Sequence, residues 1–172
     1  MGLYDGRLPW DLENVRDHRA VKRYVVDGVP VADLHHVWEG CWPFLESAIE
    51  RFPNVPNKYT EGELLKHLFA KDMQLWLGWD TEEHRPVGAL VTEITRDKRH
   101  PDKVFLSVPL VGAENWNAWG DRLWTLIKAW GVHHGCTHAL GYGRRGWMRL
   151  YGFVECGTTS GGLPMFVRTL KR

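Results

Sequence analysis

Paired cysteines, a membrane-length apolar run and a large net charge are all missing from these 172 residues. Cys41, Cys136 and Cys156 are odd in number and have neither zinc-site spacing nor a disulfide framework, so the expectation is reduced thiols. No stretch approaches the ~18 apolar residues of a membrane span, and the amino terminus MGLYDGRLPW has no apolar signal region. A cytoplasmic protein, or one assembled there into a particle, is expected. A formal charge of +1 supplies no global field toward nucleic acid or an anionic membrane. Repeats and low-complexity tracts are absent as well, and the Pro/Gly stretches are short enough to be turns. Nine histidines invite a metal, but the nearest group, His133, His134 and His138, has no ligand spacing, so no metal is expected.

What is present is a 44% hydrophobic composition and ten scattered tryptophans, enough for one sizeable core. A single domain over 1–172 is expected, with 1–29 as an N-terminal extension and 30–172 as the core. Leu34, Val37, Trp38, Cys41, Phe44, Leu45 and Ile49 recur at helical spacing, with Pro43 expected to split the segment into a helix pair. Thr60 and Glu63 form a capping box ahead of Leu64, Leu65 and Leu68. MQLWLGWD, PVGALVTEITRD and VFLSVPLVG then predict three adjacent antiparallel strands. A long helix follows from about Trp116 to His134, with Gly135 as its left-handed cap. THALGYG predicts a strand, GRRGWMRLYGF a turn with a short helix, and LPMFVRTLK a last strand.

That order, VFLSVPLVG running into a long helix, and GCTHALGYGRRGWMRLYGF ending in Gly-Phe together resemble the GNAT (Gcn5-related N-acetyltransferase) superfamily over roughly residues 30–172. QLWLGWD, GALVTEI and GRRGW resemble in particular the GNAT-like proteins encoded by tailed bacteriophages. The resemblance implies an α/β (α+β) fold: a mixed, mostly antiparallel sheet flanked by helices and splayed between the family's fourth and fifth strands. Acetyl-CoA would lie in that gap, its pantetheine on the backbone of the fourth strand, here Leu110, Val111 and Gly112. Pro109 is consistent with a splay or a bulge there.

The family's pyrophosphate loop, R/Q-x-x-G-x-G/A, falls on Asn115, Trp116, Asn117, Ala118, Trp119 and Gly120, retaining one glycine. Two large indoles flank that glycine, so at least partial closure of the channel is expected. Arg144, in a local basic excess with Arg145, Arg149, Arg168, Lys171 and Arg172, is a candidate seat for the CoA phosphate. Glu93, a carboxylate in an otherwise apolar or β-branched strand, matches the family's general base; alternation sets Val91, Glu93 and Thr95 on one face. Where the family places its acid tyrosine this chain has Met148, and nearby Tyr151 is the substitute candidate.

Two functions follow: an acyl-CoA-dependent N-acyltransferase acting on an amine, or a non-catalytic phage protein using the scaffold in a virion, in assembly or on a host factor. Partners are accordingly a CoA thioester and an amine, or a phage structural or host protein. Nucleic acid and membrane are not expected partners.

Overall fold

A computed structural model of the chain describes residues 23–51, 59–146 and 151–170. The elements are β1 (Tyr24–Val29), α1 (Leu34–Glu50), α2 (Glu61–Phe69), β2 (Met73–Asp80), β3 (Arg85–Arg96), β4 (Val104–Ala113), α3 (Trp116–His133), β5 (His138–Tyr142), β6 (Val154–Thr158) and β7 (Pro164–Thr169). The seven strands form one sheet in the order β1-β2-β3-β4-β5-β7-β6. Every neighbouring pair is antiparallel except β4 and β5, which run parallel because α3 carries the chain back between them.

Two cores sandwich the sheet. Leu34, Val37, Trp38, Cys41, Leu45 and Ala48 of α1, with Leu64 and Leu68 of α2, pack on Leu75, Leu77, Ala89 and Val91. On the opposite face Trp119, Leu123, Trp124 and Ile127 of α3 pack on Trp76, Val87, Leu90, Leu106 and Val108. β2 is buried at nearly every position, as a strand covered on both faces must be.

Local signals account for most boundaries. Thr60 Oγ1 accepts from the Glu63 amide while the Glu63 carboxylate accepts from the Thr60 amide, completing the capping box and contributing about 1 kcal/mol. At the far end of α3, Cys136 N–H donates to the Gly131 carbonyl and Gly135 N–H to Val132, with Gly135 at φ 81°. This is a full Schellman cap.

Three expectations need correction. α1 is one continuous helix with Pro43 inside it, not a helix pair. Pro43 is exposed, and so is Glu39, whose carbonyl Pro43 cannot bond, so the interruption falls on the solvent side of the helix while the opposite face stays buried. The sheet begins at Tyr24, inside the segment assigned as an extension. Asp27-Gly28 interrupts the alternation that would have marked β1, and this strand is held by its pairing with β2. β6 escaped notice entirely: all five of its residues are exposed and carry no apolar period.

Candidate active site

β4 defines the site because its two edges differ. On the β3 side Glu93 pairs with Ser107 and Val91 with Leu110, so Val108 and Pro109 together face the single residue Thr92. This is a β-bulge, and a proline that cannot donate to the ladder sits in it. The bulge inverts the alternation: Leu106 and Val108 belong to the α3 core, whereas Leu110 belongs to the α1 core. On the β5 side, pairing runs only from Phe105–His138 to Val108–Gly141. Beyond Val108, β4 continues along β3 to Ala113 while β5 diverges, leaving the sheet splayed after the bulge.

On the α1 and α2 face, half-buried Glu93 stands opposite Ser107, whose hydroxyl lies 3.4 Å from that of Thr95. Burial raises the Glu93 carboxyl above the ordinary glutamate range, with His67 opposing the shift. Tyr142, at the end of β5, carries a phenol raised first by burial and then by the negative charge of Glu93, while a hydrogen bond with Ser107 pulls it the other way. Tyr59, just ahead of α2, is raised by burial and by Glu93 as well. Its ring meets His67 edge-on at 6.1 Å between centroids. Glu93, Tyr142, Tyr59, Ser107 and His67 thus form a polar group on an otherwise apolar face, beside the point where the sheet opens.

Among the described residues, aromatic side chains fill most of the α3 face of the gap. Leu90, Val108, Trp116, Trp124, Gly141, Tyr151 and Phe153 line an apolar hollow of about 20 Å³, room for roughly one water. Trp116 Nε1–H donates to the Tyr151 hydroxyl at 2.6 Å, and that hydroxyl donates to Asp121 Oδ1 at 3.0 Å. Burial pushes the Tyr151 phenol up to about 12. Trp119 takes the other direction. It is 1% exposed, lies in a slot where Gly78 and Gly88 present no side chain, and donates Nε1–H to the Glu114 carbonyl at 3.0 Å.

Each sequence candidate therefore has a place. Asn115 begins α3 in a left-handed conformation, φ 49° and ψ 36°, without a side-chain cap. Asn117 and Ala118 are exposed on the first turn, and Ala118 N–H donates back to the Asn115 carbonyl. Gly120 lies under the Trp116 indole, where a Cβ would come within 2.1 Å of the ring. Leu110 and Val111 face opposite cores, and Gly112 is overlain by the Phe44 carbonyl of α1. Arg144 is exposed just past β5. Of its basic neighbours, Arg145 pairs with Glu155 at 3.1 Å and Arg168 donates to the Tyr151 carbonyl. Arg149, Met148, Lys171 and Arg172 lie outside the described residues.

Glu93 and Tyr151 are not brought together: Glu93 is on the α1 face and Tyr151 belongs to the α3 core. Tyr142, Tyr59 and His67 were missed. Ser107 and Tyr142 carried a usable signal, each being a polar residue on the same strand face as Glu93 once register is known. Among the described residues no group of three His, Cys, Asp or Glu side chains is arranged to hold a metal, and no helix is long and apolar enough to cross a membrane.

No protein-family model and no curated protein matches the sequence. Solved structures do match. A GNAT-family acetyltransferase from Listeria monocytogenes superposes with a TM-score of 0.59 at 8% identity, over 86% of this chain and 95% of that one. The NatC complex bound to a Gag peptide and CoA gives 0.60 at 10% identity, over 87% and 100%. Aminoglycoside 6'-acetyltransferase type Ii gives 0.64 at 11%, over 86% and 98%. With a sheet that turns parallel only at β4–β5, opens there after a bulge, and is flanked by α1, α2 and α3, the chain has the GNAT fold.

Proposed function

We propose that this chain is an acyl-CoA-dependent N-acyltransferase whose proton-accepting group is Glu93. The observation that carries this reading is a half-buried carboxylate of raised pKa set opposite Ser107, next to the bulge where the sheet opens. Burial disfavours the charge of this carboxylate, and among the described residues only His67 offsets that cost, so the position favours a proton-exchanging role over a structural one.

Acyl-CoA would supply the thioester carbon: the deprotonated amine attacks it, the C–N bond forms as the C–S bond breaks, and CoA departs as a thiolate that takes up a proton. The β4 edge from Leu110 to Ala113, unaccompanied by β5, fits an extended arm, whereas Trp116 stands across the helix start where phosphates would lie. On the acceptor side Glu93 takes the ammonium proton, and its raised pKa brings its basicity closer to that of an amine. Tyr142, kept protonated by burial and by Glu93, is the better-placed proton donor, because the Tyr151 hydroxyl is committed to Trp116 and Asp121.

Glu93→Gln should lower the acetylation rate by roughly 100-fold or more while leaving acetyl-CoA affinity essentially unchanged. The wild-type rate should rise with pH along a limb set above the ordinary glutamate range, and the variant should lose that limb. Stability should move oppositely. The folded state holds the Glu93 proton more tightly than the unfolded chain does, so this residue's contribution falls as pH rises through its folded value. Glu93→Gln is therefore expected to unfold at or above the wild-type temperature near neutral pH. Calorimetry tests the reading itself: no heat with millimolar acetyl-CoA, in the wild type and in variants that open the Trp116 side of the gap, overturns it.

One observation favours a second reading, a non-catalytic interaction protein built on this scaffold. The Trp116–Tyr151–Asp121 chain fills the α3 side of the gap. Recovery of the protein in purified particles, without acetyl-CoA turnover, would support it.

A further inference from the structure

Gly120 is the one glycine shared with the phosphate-binding loop pattern, yet its missing side chain serves another purpose. A Cβ there would lie 2.1 Å from Trp116 Cε2 and 2.4 Å from Nε1. The indole of Trp116 is seated on the bare backbone of the next helical turn. From that seat it meets Trp119 edge-on at 5.0 Å between centroids and Tyr151 at 6.4 Å, and it reaches the Tyr151 hydroxyl. Tyr151 in turn packs on Trp124, and Trp124 on Phe153, which completes the wall of the 20 Å³ hollow.

The two indoles of this helix start are built for different lives. Trp119 is fully buried between α3 and the sheet and cannot leave without opening the core. Trp116 is only half-buried, and its hydrogen-bond chain ends on exposed Asp121. Its departure toward solvent would leave Trp119, Leu123 and Ile127 in place in the core. The hollow it leaves would grow by the volume of an indole, next to the unaccompanied edge of β4. Trp124, in the same wall, has a buried Nε1–H with no hydrogen-bond partner among the described residues.

We infer that Trp116 is a gate: seated on Gly120 and latched through Tyr151 to Asp121, it shuts the β4–β5 gap, and a thioester arm enters only when the indole swings out. This rests on the acyltransferase reading. Acyl-CoA then binds only the open population, and its apparent affinity is reduced by the fraction of molecules that are open.

The test uses full-length protein labelled with fluorotryptophan, the Trp116 resonance being assigned by its loss in Trp116→Phe. Acetyl-CoA binding is measured in parallel by calorimetry. Gly120→Ala removes the seat and Tyr151→Phe removes the latch. Both should move the Trp116 resonance toward the solvent-exposed position and tighten acetyl-CoA binding, by about tenfold or more if the open form is a minor one. Acetyl-CoA added to wild type should move the same resonance the same way. If wild type binds acetyl-CoA with the Trp116 resonance unmoved and the variants bind no tighter, the gate is wrong and the acyltransferase reading stands. If the variants expose Trp116 and still no form binds acetyl-CoA, the acyltransferase reading falls and takes the gate with it. A Trp116 resonance already exposed in wild type, and unchanged in Gly120→Ala, overturns the latch directly.

Discussion

Gly112→Ala is expected to be among the most damaging single-methyl changes in the chain. A Cβ at this position would sit 2.1 Å from the Phe44 carbonyl oxygen and 2.8 Å from its carbon. These are backbone atoms of α1, so no rotamer change relieves the contact and the whole helix must lift from β4. Lifting α1 strips cover from Leu45 and Cys41, both fully buried. Overpacking of this kind typically costs 1–3 kcal/mol, and an unyielding backbone neighbour sets the expectation at about 3 kcal/mol or more. At this chain length that lowers the melting temperature by roughly 6–12 °C. Thermal and denaturant unfolding measure it. A melting point within about 2 °C of wild type would mean that α1 does not approach β4 this closely.

Trp119→Ala should cost as much or more, and for the reverse reason. The indole fills a slot whose floor is made by two glycines: a Cβ at Gly78 or Gly88 would lie 2.7–2.8 Å from its ring. Truncation leaves an indole-shaped void between α3 and β2–β3 and removes the Nε1–H bond to the Glu114 carbonyl at 3.0 Å. Buried tryptophan-to-alanine changes fall at about 3–5 kcal/mol. Trp116→Ala, removing a half-exposed ring, should cost much less. Similar losses at the two positions, by denaturant unfolding, would count against the division of labour between the core indole and the mobile one.

That division also marks the limit of what the sequence could reveal. The strand and helix order from Met73 to His134 was legible because each segment carries its own period. The Thr60–Glu63 box and Gly135 were legible because caps are local chemistry. The choice between one helix and two at Pro43 was not local: it turned on which side of α1 faced water. β1 and β6 exist through pairing with β2 and β7, and neither has an apolar rhythm of its own. At the site, Glu93 could be picked out as the odd residue in its strand. Ser107 and Tyr142 could be joined to it only through the register of β3, β4 and β5. At least partial closure was expected because two indoles flank Gly120; in the structure Trp116 lines the gap and Trp119 packs in the core, a choice set by the glycines of β2 and β3.

The seam between β4 and β5 has a further consequence. Among the described residues, four residue pairs join the β1–β4 meander to the β5–β7–β6 plate within the sheet. Their closed end is riveted at Thr137, whose amide and hydroxyl both donate to the Val104 carbonyl and whose own carbonyl receives the Leu170 amide. The plates are thus hinged like a book with its spine at Thr137 and its pages parting at Pro109. Native-state amide exchange should resolve this geometry as two cooperative units rather than one. The β5–β7–β6 amides should open together at lower free energy than those of β2 and β3, and Thr137→Ala should widen that difference by loosening the spine. In this picture the splay is the visible edge of a boundary that divides a single continuous sheet into a rigid half and a compliant one.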